Sequence, residues 1–276
     1  MKRITIYKTI ILPLLILSLL SLQARAAKAY TKPEVSAKSA VLYDANTKTF
    51  LYEKSPDERR GMASTTKIAT ALVAIESQRL EDSVTITKEM TGVEGSSLYL
   101  KEGETLTVRE LLYGLMLRSA NDAAVALAIH LYGSVESFVE EMNQLAQRLS
   151  LQNTHFENPH GLDSEAHYTT ARELALISAY AEESEVFRQI VSTEKICIGK
   201  GENRRLLQNH NKMLTLYEGV SGIKTGFTKK CGRTLVSSLY QGASHLICVT
   251  LNAPDDWRDH KKLLDYGLGV LSVPKE

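Results

Sequence analysis

Short strand-like apolar runs stand at both ends of the chain, and apolar residues at helical spacing fill its middle. Val41-Leu42-Tyr43 and Phe50-Leu51-Tyr52 flank the turn-like Asp44-Ala45-Asn46-Thr47, which predicts a β-hairpin from Ser39 to Lys54. Ile68, Ala71, Leu72 and Ile75 recur at i, i+3, i+4 and i+7, which predicts a helix from Ser64 to Arg79. Val84-Thr85-Ile86 reads as a short strand. Thr107-Val108-Arg109-Glu110 is a capping box ahead of Leu111, Leu112 and Leu115. A break at Ser119-Ala120-Asn121-Asp122 precedes a second helix ending at Gly133, and Phe138, Met142, Leu145 and Leu149 mark a third. After a loop from Asn153 to Tyr168, Thr170-Ala171-Arg172-Glu173 is another capping box, opening a helix with Leu174 and Ile177.

Strands then return. Glu194 to Ile198 and Ser221 to Thr228 are candidates, and Thr234 to Leu239 with His245 to Leu251 form a hairpin about Gln241-Gly242-Ala243-Ser244. A last helix is expected from about Asp256 to Val270. This order predicts an α+β fold. One antiparallel sheet is built from both chain ends, with the terminal helices on one face. The middle helices, in a lobe over about residues 88–190, cover the other face or stand beside it. A binding cleft is expected between sheet edge and lobe.

The N-terminus reads differently. Lys2, Arg3 and Lys8 precede an apolar run from Ile10 to Leu22 and then Ala24-Arg25-Ala26. A positive start, a short apolar stretch and a small-x-small ending predict a secretory signal peptide over residues 1–26. The run is short for a bilayer span, which takes ~20 residues. Residues 27–276 are then expected to form one exported domain, secreted, wall-associated or periplasmic. No permanent membrane span, C-terminal β-domain or anchor helix is expected. Of 276 residues, 33 are Lys or Arg and 32 are Asp or Glu, so the basic excess of a nucleic-acid binder is missing. Cys197, Cys231 and Cys248 allow at most one disulfide. Cys197 and Cys248 lie in strand-like runs where burial as free thiols is equally expected. Cys231, just after a strand, is expected to be a buried or idle thiol.

Three short motifs carry the candidate chemistry: Ser64-Thr65-Thr66-Lys67 at a helix start, Ser119-Ala120-Asn121 at a helix break, and Lys224-Thr225-Gly226 in a strand. Each alone is weak. A second Ser-x-x-Lys, Ser192 to Lys195, lies in strand-like sequence, where i and i+3 face opposite sides. On a helix they share a face, so Lys67 can reach the Ser64 hydroxyl. His155, His160 and His167 cluster in the loop, but their spacing fits no helical metal pair. No metal and no cofactor are expected.

In this order the three motifs resemble the signature shared by penicillin-binding proteins and serine β-lactamases. The nearest resemblance is to the low-molecular-mass D-alanyl-D-alanine carboxypeptidases. It extends through Ser39 to Asp44, Met62 to Lys67, Leu117 to Ala124, Asn158 to Asp163 and Gly222 to Thr228, within a span of roughly Ala37 to Leu271. The resemblance implies a serine β-lactamase/DD-peptidase-like fold and acyl transfer through Ser64, with Lys67 as base and Ser119 relaying a proton to the leaving D-alanine. It implies that Asn121 holds a substrate amide, that Lys224 and Thr225 meet the substrate carboxylate, and that Gly226 admits the substrate backbone. It also implies an oxyanion hole from the backbone N–H groups of Ser64 and Phe227. The implied partners are the D-Ala-D-Ala end of peptidoglycan stem peptides, and β-lactams as inhibitors.

Other readings stay open. A class A β-lactamase shares the motifs, but here Ala120 stands where that class has Asp. The loop around Glu157 also lacks the Glu-x-x-Leu-Asn arrangement that positions a deacylating water. A silent peptidoglycan-binding protein would have no need of all five polar residues, Ser64, Lys67, Ser119, Asn121 and Lys224. A D,D-endopeptidase or transpeptidase would use the same groups.

Overall fold

The computed structural model describes residues 31–272. The expected signal peptide therefore lies outside the described residues. Among the described residues no helix is long and apolar enough to cross a membrane.

The two chain ends share one sheet. Strands β1 (Ser39–Asp44), β2 (Thr49–Lys54), β7 (Val220–Thr228), β8 (Gly232–Gln241) and β9 (Ser244–Leu251) pair antiparallel in the order β2-β1-β9-β8-β7. Two smaller ladders join β3 (Ser83–Thr85) to β4 (Thr105–Thr107) and β5 (Lys195–Ile198) to β6 (Arg205–Gln208). The helices are α1 (Lys67–Glu76), α2 (Val108–Leu117), α3 (Asn121–Tyr132), α4 (Val135–Arg148), α5 (Ala171–Ala181), α6 (Glu185–Ser192), α7 (Met213–Leu216) and α8 (Asp256–Leu271).

The central strands are buried on both faces, which explains their near-continuous apolar sequence. Val41 and Tyr43 of β1, with Ile247, Val249 and Leu251 of β9, join the core under the helical lobe. Ala40, Leu42, Leu246 and Cys248 point the other way and pack with Leu263 and Leu264 of α8. The lobe core holds Phe138, Phe156 and Phe187, each fully buried. Burying such a side chain stabilises by about 1.5–3 kcal/mol. Asp259 of α8 ties the chain ends together, accepting from Ser36 N at 2.8 Å, Ser36 Oγ at 2.7 Å and Ala37 N at 2.8 Å.

Several local expectations change. Helix α8, joined by Met213 of the short α7, covers its face; α1 joins the lobe side, packing against α2, α3 and α4. Thr107 and Glu110 form the expected reciprocal cap, with Glu110 N donating to Thr107 Oγ1 at 3.1 Å and Thr107 N to Glu110 Oε2 at 2.8 Å. At Thr170 only half of the box forms, because Glu173 instead accepts from Gln152 N, Asn153 N and Thr154 Oγ1. Helix α6 was not expected, although Phe187, Ile190 and Val191 give it a buried stripe and Ser184 caps it. Ser192 closes that helix rather than lying in a strand, and its hydroxyl donates to the Arg188 carbonyl at 2.7 Å. Strands β4 and β6, only 3 and 4 residues long, also escaped the pattern. All three cysteines are free, and Cys197 is exposed on β5 rather than buried.

Candidate active site

The segment around Ser64 is not a plain helix start. Ala63–Thr66 is a 3-10 turn, and only Lys67 begins α1. Ser64 is thus the second residue of the turn and not an N-cap, since Met62 holds that position. Ala63 takes φ +46°, unfavourable for a residue with a side chain. Three contacts hold this turn. Gly161, at φ +88°, lies so close that a β-carbon there would be 1.9 Å from the Ala63 carbonyl oxygen. Thr66 Oγ1 donates to the same oxygen at 2.8 Å. His167 braces Thr66: its Nε2 lies 2.8 Å from Thr66 Oγ1, while its Nδ1 accepts from Glu157 N at 3.0 Å. That amide fixes the tautomer with the proton on Nε2. Burial pushes the His167 pKa down to about 4, so the brace is neutral at physiological pH.

Lys67 is fully buried. Its Nζ lies 2.9 Å from Ser64 Oγ, 2.7 Å from Asn121 Oδ1 and 2.5 Å from the His160 carbonyl oxygen. Two of these partners can only accept. A neutral amine has two N–H groups for them and one lone pair, which is left for the sole partner with a proton to give, the Ser64 hydroxyl. Burial first, then the nearby Lys224 charge, hold the Lys67 pKa well below the ordinary lysine value, while Asp122 opposes them. The contacts accommodate the neutral amine, and the electrostatics favour it.

Asn121 and Ser119 come from the break between α2 and α3. Asn121 N donates to the Ser96 carbonyl at 2.7 Å and Asn121 Nδ2 to the Glu94 carbonyl at 2.5 Å. One N–H and one lone pair of the Asn121 amide remain beyond these contacts. Ser119, 6% exposed, adopts φ +61° at the break and so turns the chain between the helices.

The sheet edge supplies the opposite wall. Lys224 on β7 is 1% exposed and its Nζ donates to the Thr225 carbonyl at 3.0 Å. Burial lowers its pKa to about 7. Gly226 packs against the Ser64 turn, where a β-carbon would lie 2.9 Å from Ser64 N. Thr225 is half-buried, and Phe227, beyond Gly226, is 62% exposed. The fold brings Ser64 and Asn121 each into contact with Lys67, sets Gly226 against Ser64, and leaves Ser192 at the end of α6.

The D-alanyl-D-alanine carboxypeptidase family model matches residues 26–255. The chain belongs to the D-alanyl-D-alanine carboxypeptidase family. Among its relatives, the D-alanyl-D-alanine carboxypeptidase DacF of Bacillus subtilis is 36% identical over 223 residues, 79% of this chain and 57% of that protein. The D-alanyl-D-alanine carboxypeptidase of Streptomyces sp. strain K15 is 36% identical over 272 residues, 91% of this chain and 93% of that one. The crystal structure of the Streptomyces K15 DD-transpeptidase superposes with TM-score 0.82 at 35% identity, covering 87% of this chain and 99% of that one. A putative penicillin-binding protein homolog from Mycobacterium tuberculosis gives 0.85 at 29%, covering 91% and 98%. The chain spans 57% and 64% of DacF and of Escherichia coli DacD, but nearly all of the Streptomyces relative. The α+β DD-peptidase fold expected from the motifs is thus the fold of this family member.

Sequence reading missed the groups that act through backbone or bracing. The His160 carbonyl, the Glu94–Ser96 segment, Asp122 and His167 all hold the site together. Asn158-Pro159-His160-Gly161 carried a partial signal, as part of the resemblance through Asn158 to Asp163. The three loop histidines are separately engaged: His155 Nδ1 with the Ala166 carbonyl, His160 Nδ1 with Leu162 N, and His167 with Thr66 of the Ser64 turn. Glu157 is exposed and accepts from Ser164 Oγ and Ala166 N.

Proposed function

We propose that this chain is an exported serine D-alanyl-D-alanine carboxypeptidase. It removes the terminal D-alanine from peptidoglycan stem pentapeptides and is inhibited by penicillin. The observation that carries this reading is the 2.9 Å approach of a buried Lys67 amine to the Ser64 hydroxyl.

The chemistry follows from that contact. Ser64 Oγ forms a bond to the carbonyl carbon between the two D-alanines, and its proton passes to neutral Lys67. The carbonyl oxygen gains charge beside the backbone N–H groups of Ser64 and Phe227. Collapse breaks the C–N bond, and the amine leaves with the proton returned from Lys67 by way of Ser119. Water then attacks the acyl-enzyme, gives its proton to Lys67, and releases the shortened peptide with Ser64 restored. Lys224 as an ammonium and the Thr225 hydroxyl receive the substrate carboxylate. Asn121 offers its remaining N–H or lone pair to the substrate amide, and also orients Lys67.

Residues 27–276 form the catalytic unit in this reading, and residues 1–26 direct export. The test is release of free D-alanine from a stem pentapeptide by the wild-type chain and its absence in Ser64→Ala. A wild-type protein that binds the pentapeptide without releasing D-alanine would overturn the reading.

A further inference from the structure

Tyr99 is 82% exposed, while Leu98 and Leu100 on either side of it are each 6% exposed. Its φ is +57°, a left-handed conformation that an aromatic residue adopts only at a cost. The surrounding structure enforces it. Asp122 accepts from Ser97 Oγ at 2.5 Å, Leu98 N at 3.0 Å and Leu100 N at 3.1 Å, and Tyr99 N donates to Ser97 Oγ at 2.8 Å. Leu98 fills the space over Gly114 of α2, where a β-carbon would meet Leu98 Cδ1 at 2.3 Å. One carboxylate and two core-seated leucines therefore push the aromatic ring into solvent.

That carboxylate is adjacent in sequence to Asn121, which contacts Lys67 and holds the Glu94–Ser96 segment. Gly95 lies against the Asn121 amide and near Leu162. Tyr99 is four residues on, within a reach of at most about 14 Å. Phe227, beside Gly226 on β7, presents a second exposed ring. Among the described residues the other two exposed tyrosines, Tyr180 and Tyr240, line a cavity beyond the opposite end of the strands.

We propose that Tyr99 is a specificity contact for the stem peptide upstream of the scissile bond, its ring packing on the peptide opposite Phe227. The inference rests on the carboxypeptidase reading. A peptide is the occupant because the four residues upstream of the scissile bond span at most about 14 Å, the same bound as the four residues of backbone from Gly95 to Tyr99. Strain held at an exposed aromatic has no packing benefit to offset it, and substrate contact supplies one.

The experiment compares Tyr99→Phe, Tyr99→Ala and Tyr99→Gly with wild type, on a stem pentapeptide and on benzylpenicillin, which lacks the upstream peptide. Tyr99→Gly is informative because glycine accepts the left-handed backbone. Its melting temperature should hold or rise while kcat/KM on the pentapeptide falls roughly tenfold more than the rate of penicillin acylation. Tyr99→Phe should retain both. Pentapeptide binding to Ser64→Ala, read by calorimetry, should weaken in step in the Ser64→Ala/Tyr99→Gly double variant. Equal losses on pentapeptide and penicillin, or unchanged pentapeptide kinetics in Tyr99→Gly, would overturn the proposal. Failure of the wild type to release D-alanine would instead strike the carboxypeptidase reading, and the binding comparison would still decide the role of Tyr99. An absence of pentapeptide binding would overturn both.

Discussion

Gly226 stands against Ser64 so closely that a β-carbon would lie 2.9 Å from the Ser64 amide nitrogen and 2.4 Å from Thr234 Oγ1. The sheet edge and the Ser64 turn are therefore built as one surface. The amide that would stabilise an oxyanion belongs to the turn, and the neighbouring strand fixes its position.

Gly226→Ala should separate these two parts. The methyl group has no space, so the turn or the strand must move, at a stability cost of about 1–3 kcal/mol. Displacement of an oxyanion donor should slow penicillin acylation about 100-fold. Stopped-flow acylation and thermal melting test this together; an unaffected acylation rate in a folded variant would contradict the assignment.

The two buried lysines predict a pH profile. Lys67 must be neutral to act as base, so acylation falls on the acid side as it takes up a proton. Lys224 must be charged to receive a carboxylate, and burial has lowered its pKa to about 7. For a carboxylate-ended substrate, kcat/KM of the free enzyme should therefore decline as pH rises through about 7. Lys224→Arg keeps the charge and should move that alkaline limb upward. An alkaline limb unmoved in Lys224→Arg would show that another group sets it.

Asp122 joins substrate presentation to the base. Asp122→Asn leaves the Leu98 and Leu100 amides facing an amide instead of a carboxylate, which should cost about 2 kcal/mol or more. It also removes the charge that raises the Lys67 pKa, so the acid limb of the acylation profile should shift to lower pH. A shift to higher pH would contradict this electrostatic account.

The architecture was legible where both faces or one helical stripe repeat their signal. The terminal hairpins, the capped helix at Thr107 and the closing helix all lie where expected. What stayed hidden acts without a distinctive side chain. The His160 carbonyl contacts Lys67, and no sequence pattern announces a carbonyl. Asp122 and His167 were visible as residues, but their partners Leu98, Leu100 and Thr66 are brought to them only by tertiary folding. The 3-10 turn at Ser64 also departs from helical periodicity because Gly161 and the strained Ala63 hold it against the loop. Strand-like sequence suggested burial of Cys197, yet its hairpin is an outlying ladder whose outer face pairs it with the exposed Leu206.

The thiols offer an independent check of that hairpin. Cys197 is exposed, whereas Cys248 is fully buried and Cys231 is 8% exposed with Sγ 3.0 Å from Asp163 Oδ1. Burial raises the pKa of both enclosed thiols. A disulfide reagent should modify one thiol quickly, mapped to Cys197, and the other two only on unfolding. Rapid modification of Cys231 or Cys248 in the folded protein would contradict their placement.

The central claim is that Ser64, approached by Lys67, forms the acyl-enzyme. Its most direct test is intact-protein mass spectrometry with penicillin, followed over hours and mapped by peptide digestion. The account predicts a stable one-to-one adduct on Ser64 that is missing from Ser64→Ala and Lys67→Ala and retained in Ser192→Ala. An adduct that persists in Ser64→Ala, or one that is rapidly lost while hydrolysed drug accumulates, would contradict it.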